Sequence, residues 1–559
     1  DWHTTPESGR ITASNPCFPA DQRVATDKGL VPIGKLVERA ARGEAFGVYT
    51  DDVTADTGPR SGVVATTPTQ YMVTGTNEIL ELRFSDGSRL RCTPNHRVWT
   101  EEKGWVHAEE LTEDDRVVRS FHYTPRPYAS PLIPEQAVQA ARLQGAHGSS
   151  RSLSLPAKWD EDADLAHYLG WLAGDGGVFD SGLVTGYGTA EAQNEVLPRH
   201  QRLLERLTGA QSKPGAQENG PRQLRATRRS LVAFVRELGF PDSGAAAAVP
   251  QALFEAPEKT IVGFLQGLFD ADGRVVDQVD NGTRYIGLGS RSEELLIGVQ
   301  ELLASFGIMG RIHWTAAAKQ NSLSHLREDG TEASHGSDGP FYDLRISSGH
   351  MREFSARIGF LLESKQEQLR AALDFRKADS ADSTVRLVSR ESCGFETTYN
   401  LTEPRNHSYI VGGTVVANCS EYVHLDNSSC NLASINLLKF LRENDTFDVA
   451  GFTKLTELVI TAMDISITFA DFPTSKIGDT TRAYRQLGIG YANLGALLMA
   501  TGHAYDSEGG RAVAGAITSL MTGAAYRRSA EMAGVVGSYD GYKRNEQAHK
   551  RVMRKHAAA

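Results

Sequence analysis

Apolar and polar residues alternate in short runs along the first 120 residues, and turn residues separate the runs. In the clearest run, residues 80–84, leucine and phenylalanine alternate with charged residues, which predicts a half-buried β-strand. Asp86-Gly87 follows and favours a tight hairpin turn. The alternation resumes at Leu90 and Cys92, so we expect Cys92 to be a buried apolar thiol. These runs predict an all-β unit.

The pattern changes to that of apolar helices in two similar segments, residues 168–175 and 263–272. Each segment carries two glycines four residues apart and ends in an aspartate that precedes another glycine. Glycines on one helix face let two backbones approach closely, so we expect the helices to pack together and bring Asp175 and Asp272 side by side. The alternative is a pair of ordinary core helices with glycine caps. The glycine pairs are Gly170 with Gly174 and Gly263 with Gly267.

The remaining segments differ in composition and in the spacing of their apolar residues. Residues 123–156 are rich in proline, alanine and serine and predict a linker. Strand-like sequence returns at residues 397–417. Residues 455–472 and 481–501 predict helices, and Gly502 is the expected terminator of the second.

Composition narrows the class of protein. A chain of 559 residues is too long for one core, and 40% hydrophobic residues with a net charge of −10 favour a folded, soluble protein. No apolar run reaches the roughly 18 residues that a membrane span needs, so we expect no membrane partner. Five cysteines are too few for a disulfide scaffold, which favours a cytoplasmic location. The chain opens at Asp1 without a methionine and stops at Ala559, so we expect it to be a piece of a longer protein.

Two junctions carry unusual chemistry. Asn418 directly precedes Cys419, and an asparagine amide can attack its own peptide carbonyl while a cysteine thiol can accept an acyl group. Cys17 opens a matching junction far upstream, after Asn15-Pro16. Removing residues 17–418, a 402-residue segment, would join Pro16 to Cys419 and leave a 157-residue product.

This segment resembles an intein, which excises itself and joins its flanks. A Thr-x-x-His motif follows the opening cysteine, and a strand-rich block with a histidine precedes the terminal asparagine. The resemblance implies an all-β splicing domain of the Hint type. The matching residues are Cys17, Thr93, His96, His407, Asn418 and Cys419.

The resemblance also implies a role for each of these residues. Thr93 and His96 polarise the peptide bond that the Cys17 thiol attacks to form a thioester. After the acyl group has moved to the first residue beyond the insertion, Asn418 cyclises with the help of His407. A thiol attacking its own amide is an uphill step, so the developing charge must be stabilised.

The outer segments resemble adenosylcobalamin-dependent ribonucleotide reductase, through the joined Asn-Pro-Cys-Ser-Glu motif and through residues 427–434 and 484–490. The resemblance implies part of an α/β barrel of ten strands, mostly helical here. It also implies a ribonucleotide substrate after splicing, adenosylcobalamin in the complete enzyme, and the remaining reductase segments as partners. Cys419 corresponds to the radical cysteine, Glu421 to the base and Asn15 to the sugar ligand. Cys430 corresponds to one half of the redox dithiol.

The two glycine-bearing helices resemble those of LAGLIDADG homing endonucleases, and residues 358–360 with Lys365 look like later blocks of that family. The resemblance implies an inserted α+β domain in which Asp175 and Asp272 bind Mg²⁺, a hard cation that prefers oxygen ligands and activates water. The partner is then double-stranded DNA, at the uninterrupted reductase gene. Basic residues would contact it, namely Arg222, Arg225, Arg228 and Arg229.

The sequence departs from these families in three places. Asn400 stands where inteins commonly have aspartate, and Ala417 stands where a histidine usually precedes the terminal asparagine. Residues 245–248 are alanines where the endonucleases usually carry a lysine that is thought to assist cleavage. An insertion that splices poorly, or whose endonuclease is inactive, therefore stays open as an alternative.

The sequence predicts a multidomain chain. We expect residues 1–16 and 419–559 to be the flanking reductase segments, 17–125 and 385–418 the two parts of the splicing domain, and 157–380 the endonuclease domain.

Three other interpretations explain less. A reductase that merely tolerates a structural insertion leaves Asn15 separated from Cys419. Autoprocessing of the Hedgehog type releases a thioester to an external nucleophile and needs no Asn-Cys pair. A solitary DNA-binding nuclease gives Cys17, His96 and His407 no role.

Overall fold

The computed structural model describes most of the chain and divides it into two compact units. Unit 1 comprises Asp1–Ser14 and Glu421–Ala559, and unit 2 comprises Asn15–Ser420. The described residues are 4–5, 8, 17–54, 62–120, 132–146, 153–212, 214–215, 222–240, 247–278, 283–315, 324–326, 332–334, 340–373, 384–418, 424–425 and 427–558.

Unit 2 begins and ends with β-structure. The strands of the first section are β1 (Phe18–Pro19), β2 (Arg23–Thr26), β3 (Gly29–Pro32), β4 (Val48–Asp51), β5 (Val63–Thr66), β6 (Gln70–Phe84), β7 (Arg89–Cys92), β8 (Arg97–Thr100), β9 (Gly104–His107) and β10 (Val117–Val118), with helix α1 (Ile33–Ala41) after β3.

The middle of unit 2 mixes helices and strands. In chain order its elements are α2 (Glu135–Ala146), α3 (Ala163–Asp175), β11 (Gly176–Phe179), β12 (Gly182–Tyr187), α4 (Leu197–Thr208), β13 (Arg222–Ala226), α5 (Arg229–Glu237), α6 (Gln251–Phe254), α7 (Glu258–Asp272), β14 (Gly273–Gln278), β15 (Thr283–Ser290), α8 (Glu293–Ala304), β16 (Gly310–Thr315), β17 (Ser324–Leu326), β18 (Glu332–Ser334), β19 (Phe341–Ser347), α9 (Ser348–Arg357) and α10 (Glu363–Leu373). The closing strands are β20 (Thr384–Val385), β21 (Leu387–Thr402), β22 (Ser408–Val411) and β23 (Thr414–Ala417).

The two ends of unit 2 are interleaved in shared antiparallel sheets. One sheet has the order β1-β21-β6-β7, and β21 pairs with β6 along nearly its whole length. The other runs β20-β10-β8-β23-β22-β2-β4-β5, with β3 paired to β2 and β9 paired to β8. Strands from the end of the unit therefore lie between strands from its beginning.

The predicted hairpin in the first section is confirmed. Residues 80–84 form the end of β6, and Asp86-Gly87 makes the turn into β7. Gly87 has φ +80°, a conformation that side chains disfavour, and Leu90 and Cys92 face the core. Burial raises the pKa of the Cys92 thiol strongly, as expected for an inert apolar cysteine.

The predicted close packing of the two glycine-bearing helices, α3 and α7, is confirmed. A Cβ atom on Gly170 would lie 1.9 Å from the backbone oxygen of Phe264. One on Gly267 would lie 2.0 Å from the backbone oxygen of His167. Only a glycine fits such contacts, so these residues determine how closely the helices pack.

The middle section carries two larger sheets in addition to the two-stranded pair β17-β18. One sheet, β11-β12-β13, follows α3, and the other, β14-β15-β19-β16, follows α7. The chain thus repeats a pattern of a helix followed by an antiparallel sheet.

The prediction of a linker at residues 123–156 is wrong in part, because α2 occupies residues 135–146 and packs on α5. Ala137 and Ala141 lie four residues apart and are buried. Their small side chains permit close helix packing, and the surrounding alanines favour helix over coil. The rest of that segment up to residue 131, and residues 147–152, lie outside the described residues.

Unit 1 is mostly helical in its described part. Its elements are β24 (Asn431–Asn436), α11 (Val449–Phe469), α12 (Ser475–Tyr484), β25 (Leu487–Ala492), α13 (Leu494–Ala500), α14 (Glu508–Val536) and α15 (Tyr542–Ala558). Strands β24 and β25 pair in parallel, and the amide of Asn545 in α15 donates to the Ser8 hydroxyl.

The helix predicted at residues 455–472 is confirmed as α11, but a continuous helix at 481–501 is wrong. The chain leaves α12 at Arg485, which has φ +50°, and forms β25 before α13. Two glycines within residues 487–492 weaken a helix there, and the alternating apolar residues suit a strand. Gly502, with φ +78°, follows the end of α13 as predicted. Within the described residues, no helix is both long and apolar enough to cross a membrane.

Candidate functional site

Cys17 is fully buried at the edge of the first sheet, and Thr93 holds its backbone on both sides. The Cys17 N–H donates to the Thr93 hydroxyl at 3.0 Å, and the Thr93 N–H donates to the Cys17 carbonyl at 3.0 Å. Phe18, the first residue of β1, pairs with Tyr399 in β21 and so anchors the chain directly after Cys17. The peptide nitrogen of Cys17 therefore has a fixed hydroxyl beside it.

His96 lies in the same pocket and is also fully buried. Its ring is 4.1 Å from that of Phe18, centroid to centroid. Burial, together with the positive charge of Arg97, lowers the pKa of His96 to about 3, while the Cys17 backbone opposes this fall. Neither ring nitrogen has a hydrogen-bond partner among the described residues. The site therefore presents a neutral imidazole with open nitrogens next to the Cys17 peptide.

Tyr409 connects this pocket to the end of the unit. Its ring meets that of Phe18 edge-on at 6.0 Å, and its hydroxyl donates to the side-chain oxygen of Asn400 at 2.8 Å. Burial and the neighbouring Cys17 raise the pKa of Tyr409 well above its usual value. Its backbone pairs with Val416 in β23, two residues before Asn418. Sequence reasoning missed Tyr409, because its position between the two ends depends on the sheet order.

Asn418 is held by the loop that precedes β22. Its N–H donates to the His407 carbonyl at 2.9 Å, and its Nδ2 donates to the Glu403 carbonyl at 2.6 Å. His407 contributes its backbone, with φ +53°, while its side chain is exposed. Ala417 is buried in β23. The fully buried Glu403 was another residue that sequence reasoning missed.

The structure brings some of the predicted junction residues together, and others lie outside the described residues. The structure brings Cys17, Thr93 and His96 together, and it places Asn418 against the backbone of His407. The predicted residues Asn15, Cys419 and Glu421 lie outside the described residues.

Asp175 and Asp272 end α3 and α7 and lie at the same end of the helix pair. A Cβ atom on Gly174 would lie 3.0 Å from an Asp272 carboxylate oxygen, which places that oxygen against the last turn of α3. Burial and the Asp175 charge raise the pKa of Asp272 to about 7, and burial raises the pKa of Asp175. Both residues remain accessible to water, which screens part of this repulsion.

A buried hydrogen-bond chain crosses the helix pair beside these carboxylates. Asp270 accepts from His167 at 3.1 Å, His167 bonds to His200 at 2.9 Å, and His200 bonds to Tyr187 at 2.9 Å. Lys365 donates to the Asp270 carbonyl at 2.6 Å, and burial lowers the pKa of its ammonium group. From the sequence, Lys365 was noted only as part of a block that resembles a later block of the endonuclease family. His167 and His200 were not identified as site residues.

The ligand set at the carboxylate pair is small. Among the described residues, no group of three or more acidic, histidine or cysteine side chains could hold a metal ion. A cation at Asp175 and Asp272 would need water or phosphate oxygens for its other positions, which is the usual behaviour of Mg²⁺.

The predicted DNA-contacting arginines lie on and after β13. Arg222 and Arg225 are exposed on the strand, Arg228 precedes α5 and Arg229 begins it. The second sheet has its own arginines, of which Arg274 and Arg345 form ion pairs with Asp343.

Cys430 lies in unit 1, directly before β24, and is half-buried. Burial raises the pKa of its thiol. The neighbouring Asn431 side chain donates to the Ser466 hydroxyl at 2.7 Å and thereby ties this segment to α11.

Comparison with protein families gives a match over nearly the whole chain. The model described as "Ribonucleotide reductase, barrel domain" matches residues 1–558.

Relatives with a reductase name match parts of the chain. A "Vitamin B12-dependent ribonucleotide reductase" of Streptomyces avermitilis is 72% identical over 145 residues, 25% of this chain and 15% of that protein. Its namesake in Streptomyces clavuligerus is 49% identical over 262 residues, 44% of this chain and 27% of that protein. The "Ribonucleoside-diphosphate reductase NrdEB subunit alpha" of Bacillus subtilis is 22% identical over 594 residues, 98% of this chain and 51% of that protein. The chain therefore spans about half or less of the length of these relatives.

Two solved structures are similar to parts of the chain. A DnaB intein from Synechocystis is 17% identical, covers 19% of this chain and 68% of its own, and gives a TM-score of 0.16. A variant of the homing endonuclease I-DmoI is 17% identical, covers 37% of this chain and 97% of its own, and gives a TM-score of 0.26. Likenesses at these TM-scores support no inference about fold.

Proposed function

Because the chain belongs to the ribonucleotide reductase barrel-domain family, we propose that it is a reductase segment interrupted by an intein at residues 17–418. The observation that carries this proposal is the pair of hydrogen bonds between Cys17 and Thr93, beside the buried neutral His96. A structural insertion has no need for a fixed hydroxyl and a buried neutral imidazole at its first peptide bond.

The first step is attack of the Cys17 thiol on the carbonyl of the preceding residue, Pro16. A C–S bond forms, the C–N bond to Cys17 breaks, and the thiol proton ends on the Cys17 nitrogen. The Thr93 hydroxyl lies 3.0 Å from that nitrogen and can exchange a proton with it as it becomes an amine. His96 is neutral and can therefore offer one ring N–H as a hydrogen-bond donor to the charge that develops at this peptide bond.

The later steps transfer the acyl group from Cys17 to Cys419 and release the insertion by cyclisation of Asn418. The Asn418 side chain is already fixed by its bond to the Glu403 carbonyl. We assign proton transfer here to His407, whose backbone holds Asn418 and whose exposed side chain must turn inward to act.

Trapping the thioester tests this proposal. With Asn418→Ala to stop the last step, added dithiothreitol should cut the chain before Cys17, and Cys17→Ala should abolish the cut. We expect Thr93→Val to slow the cut at least tenfold, because the hydroxyl at the Cys17 nitrogen is lost while the shape is kept. Thr402→Val is the matched control: its buried hydroxyl has no hydrogen-bond partner among the described residues. Equal rates in the two valine variants would contradict the role of Thr93.

A second function, cleavage of DNA, is favoured by the contact between the Asp272 carboxylate and the last turn of α3. The pKa of both carboxyl groups is raised, that of Asp175 by burial and that of Asp272 by burial and the Asp175 charge, and a divalent cation would favour their ionised forms. Asp175 and Asp272 would hold Mg²⁺, which supplies activation of water for phosphodiester hydrolysis. The exposed arginines Arg222 and Arg225 would contact the phosphates of a double-stranded site in the uninterrupted reductase gene.

Purified protein and a DNA duplex that spans the uninterrupted joint test the second function. Cleavage should require Mg²⁺ and should vanish in Asp175→Asn, whereas Asp180→Asn, at a highly exposed aspartate, should cleave normally. Binding without cleavage would point to the absent lysine before Val249. Absence of binding would show that the domain is a relic.

After splicing, the joined product would contribute to reduction of ribonucleotides. We assign Cys419 to radical chemistry, Glu421 to the base, Asn15 to the sugar and Cys430 to the redox dithiol, by the family resemblance. The described residues of unit 1 offer no side-chain set that we assign to adenosylcobalamin. We assign the cofactor to the complete reductase by the same resemblance, since this chain spans about half or less of the length of its relatives.

A further inference from the structure

Glu403 is fully buried, which is rare for glutamate because an unpaired buried charge is costly. Its carboxylate accepts three backbone N–H groups of its own loop: Arg405 at 2.7 Å, Asn406 at 2.8 Å and Ser408 at 3.4 Å. Bonds from successive amides to a charged acceptor are strong and hold an anion in a concave loop. The side chain therefore fixes the conformation of residues 403–408.

The fixed loop presents two backbone carbonyls to Asn418. The Glu403 carbonyl accepts from the side-chain nitrogen of Asn418 at 2.6 Å, and the His407 carbonyl accepts from its backbone nitrogen at 2.9 Å. Pro404 restricts Glu403 to an extended backbone, which limits where its carbonyl points. The positive φ of His407 is unfavourable for a non-glycine residue and needs support from the surrounding structure.

The same loop is tied to the first section of unit 2. The Asn406 side chain donates to the Thr50 hydroxyl at 3.3 Å, and that hydroxyl lies 2.8 Å from the Ser408 hydroxyl. Residues 403–408 are thus held both by their own carboxylate and by β4. The carboxylate belongs to the loop itself, so it can be changed without altering a strand residue.

We propose that Glu403 is a positioning residue for scission at Asn418, an inference that rests on the splicing function proposed above. In that scission the side-chain nitrogen of Asn418 attacks its own main-chain carbonyl carbon. A C–N bond closes a succinimide ring, the peptide bond to Cys419 breaks, and one proton passes from the attacking nitrogen to the released amine. The Glu403 carbonyl orients the attacking nitrogen and polarises its N–H bond, and the Glu403 carboxylate keeps that carbonyl in place.

The full chain with Glu403→Gln tests this role. Glutamine keeps the size of the side chain but turns an NH₂ group toward a backbone donor. In a Cys17→Ala background, which isolates scission at Asn418, we expect release of residues 419–559 to slow about tenfold, or roughly 1.4 kcal/mol in activation free energy. In an Asn418→Ala background, the dithiothreitol cut before Cys17 should stay within about twofold of the parent, because Glu403 makes no bond to Cys17 or Thr93 in the described structure.

Asp115→Asn is the matched control. Its carboxylate is buried and organises another turn, by accepting from the backbone and hydroxyl of Thr112. We expect this variant to change neither rate.

The outcomes separate the proposal from the function it rests on. Parent-like release at Asn418 in Glu403→Gln would overturn the positioning role, and so would an equal loss of both reactions, which indicates a general effect on folding. If the parent chain undergoes neither cut, the splicing function fails, and the role of Glu403 fails with it.

Discussion

The His96 ring lies against Phe18 and next to the Cys17 peptide, without a hydrogen-bond partner in the described part of the chain. Burial lowers its pKa to about 3, so the ring is neutral near neutral pH. A histidine that stays neutral near neutral pH differs from one that titrates there. Its burial therefore affects how the stability of unit 2 depends on pH, and how the rate of the cut before Cys17 depends on pH.

Acid should destabilise unit 2 through this residue. The unfolded chain binds a proton at His96 near pH 6.5, whereas the folded chain binds it only near pH 3. Between these values the free energy of unfolding falls as the pH falls, by about 1.4 kcal/mol per pH unit for one such histidine. His96→Leu should flatten the dependence of the thermal midpoint on pH between 6.5 and 4.5. His200, whose pKa is also lowered, contributes equally to both proteins.

The same protonation state predicts a reaction profile. The dithiothreitol cut before Cys17 should show no inflection near pH 6.5, because His96 does not titrate there in the folded chain. An inflection at that pH that disappears in a His96 variant would contradict the neutral, buried state.

Part of this site could be predicted from the sequence. The motif spacing predicted Thr93 and His96, and the junction chemistry predicted Cys17 and Asn418. The sequence could not reveal Tyr409, since its contact with Phe18 depends on the sheet order that interleaves the two ends of unit 2. It could not reveal Glu403, since the bonds of that carboxylate to N–H groups of its own loop depend on the loop conformation and not on a residue pattern.

At the scale of elements, the α3–α7 contact depends on glycines that touch backbone rather than flexible side chains. The hydrogen-bond chain from Asp270 through His167 to His200 crosses the same contact. The position of the paired carboxylates therefore depends on the helix separation.

Gly267→Ala should destabilise unit 2 by about 1–3 kcal/mol or more, because its Cβ would lie 2.0 Å from the His167 backbone oxygen and the helices must separate. Mg²⁺-dependent DNA cleavage should fall as well. Gly515→Ala in α14 is the control: nothing lies within 4 Å of its Cβ, and alanine favours a helix interior by up to about 1 kcal/mol. Thermal unfolding measures both variants, and equal stability of Gly267→Ala and the parent would contradict the packing.

Elements with a strong local signal were predicted correctly, and those with a mixed signal were not. The 80–92 hairpin, α11 and the ends of α3 and α7 follow from period and turn residues. The alanine-rich α2 was not predicted, because the prolines in the segment around it favour a linker. The strand β25 was hidden by apolar flanks that are helical, and its parallel partner β24 lies more than 50 residues upstream.

At the scale of the whole molecule, splicing should control reductase chemistry. On the assignment proposed above, Cys419 acts on the sugar only when it is bonded to Pro16, and a displacement of about 1 Å can lower a rate roughly a hundredfold. We expect a Cys17→Ala, Asn418→Ala chain, supplied with adenosylcobalamin and with the reductase regions that its relatives carry beyond the matched part, to reduce no nucleotide. The spliced protein under the same conditions should be active. Similar rates in the two samples would refute this dependence.

The central claim is that residues 17–418 excise themselves and that their flanks are joined. Mass spectrometry of the purified full chain after incubation measures this directly. We predict the loss of the 559-residue chain and the appearance of a 402-residue and a 157-residue product, the latter with Pro16 bonded to Cys419. An intact chain after prolonged incubation, or fragments cut at one junction without the joined product, would contradict the claim.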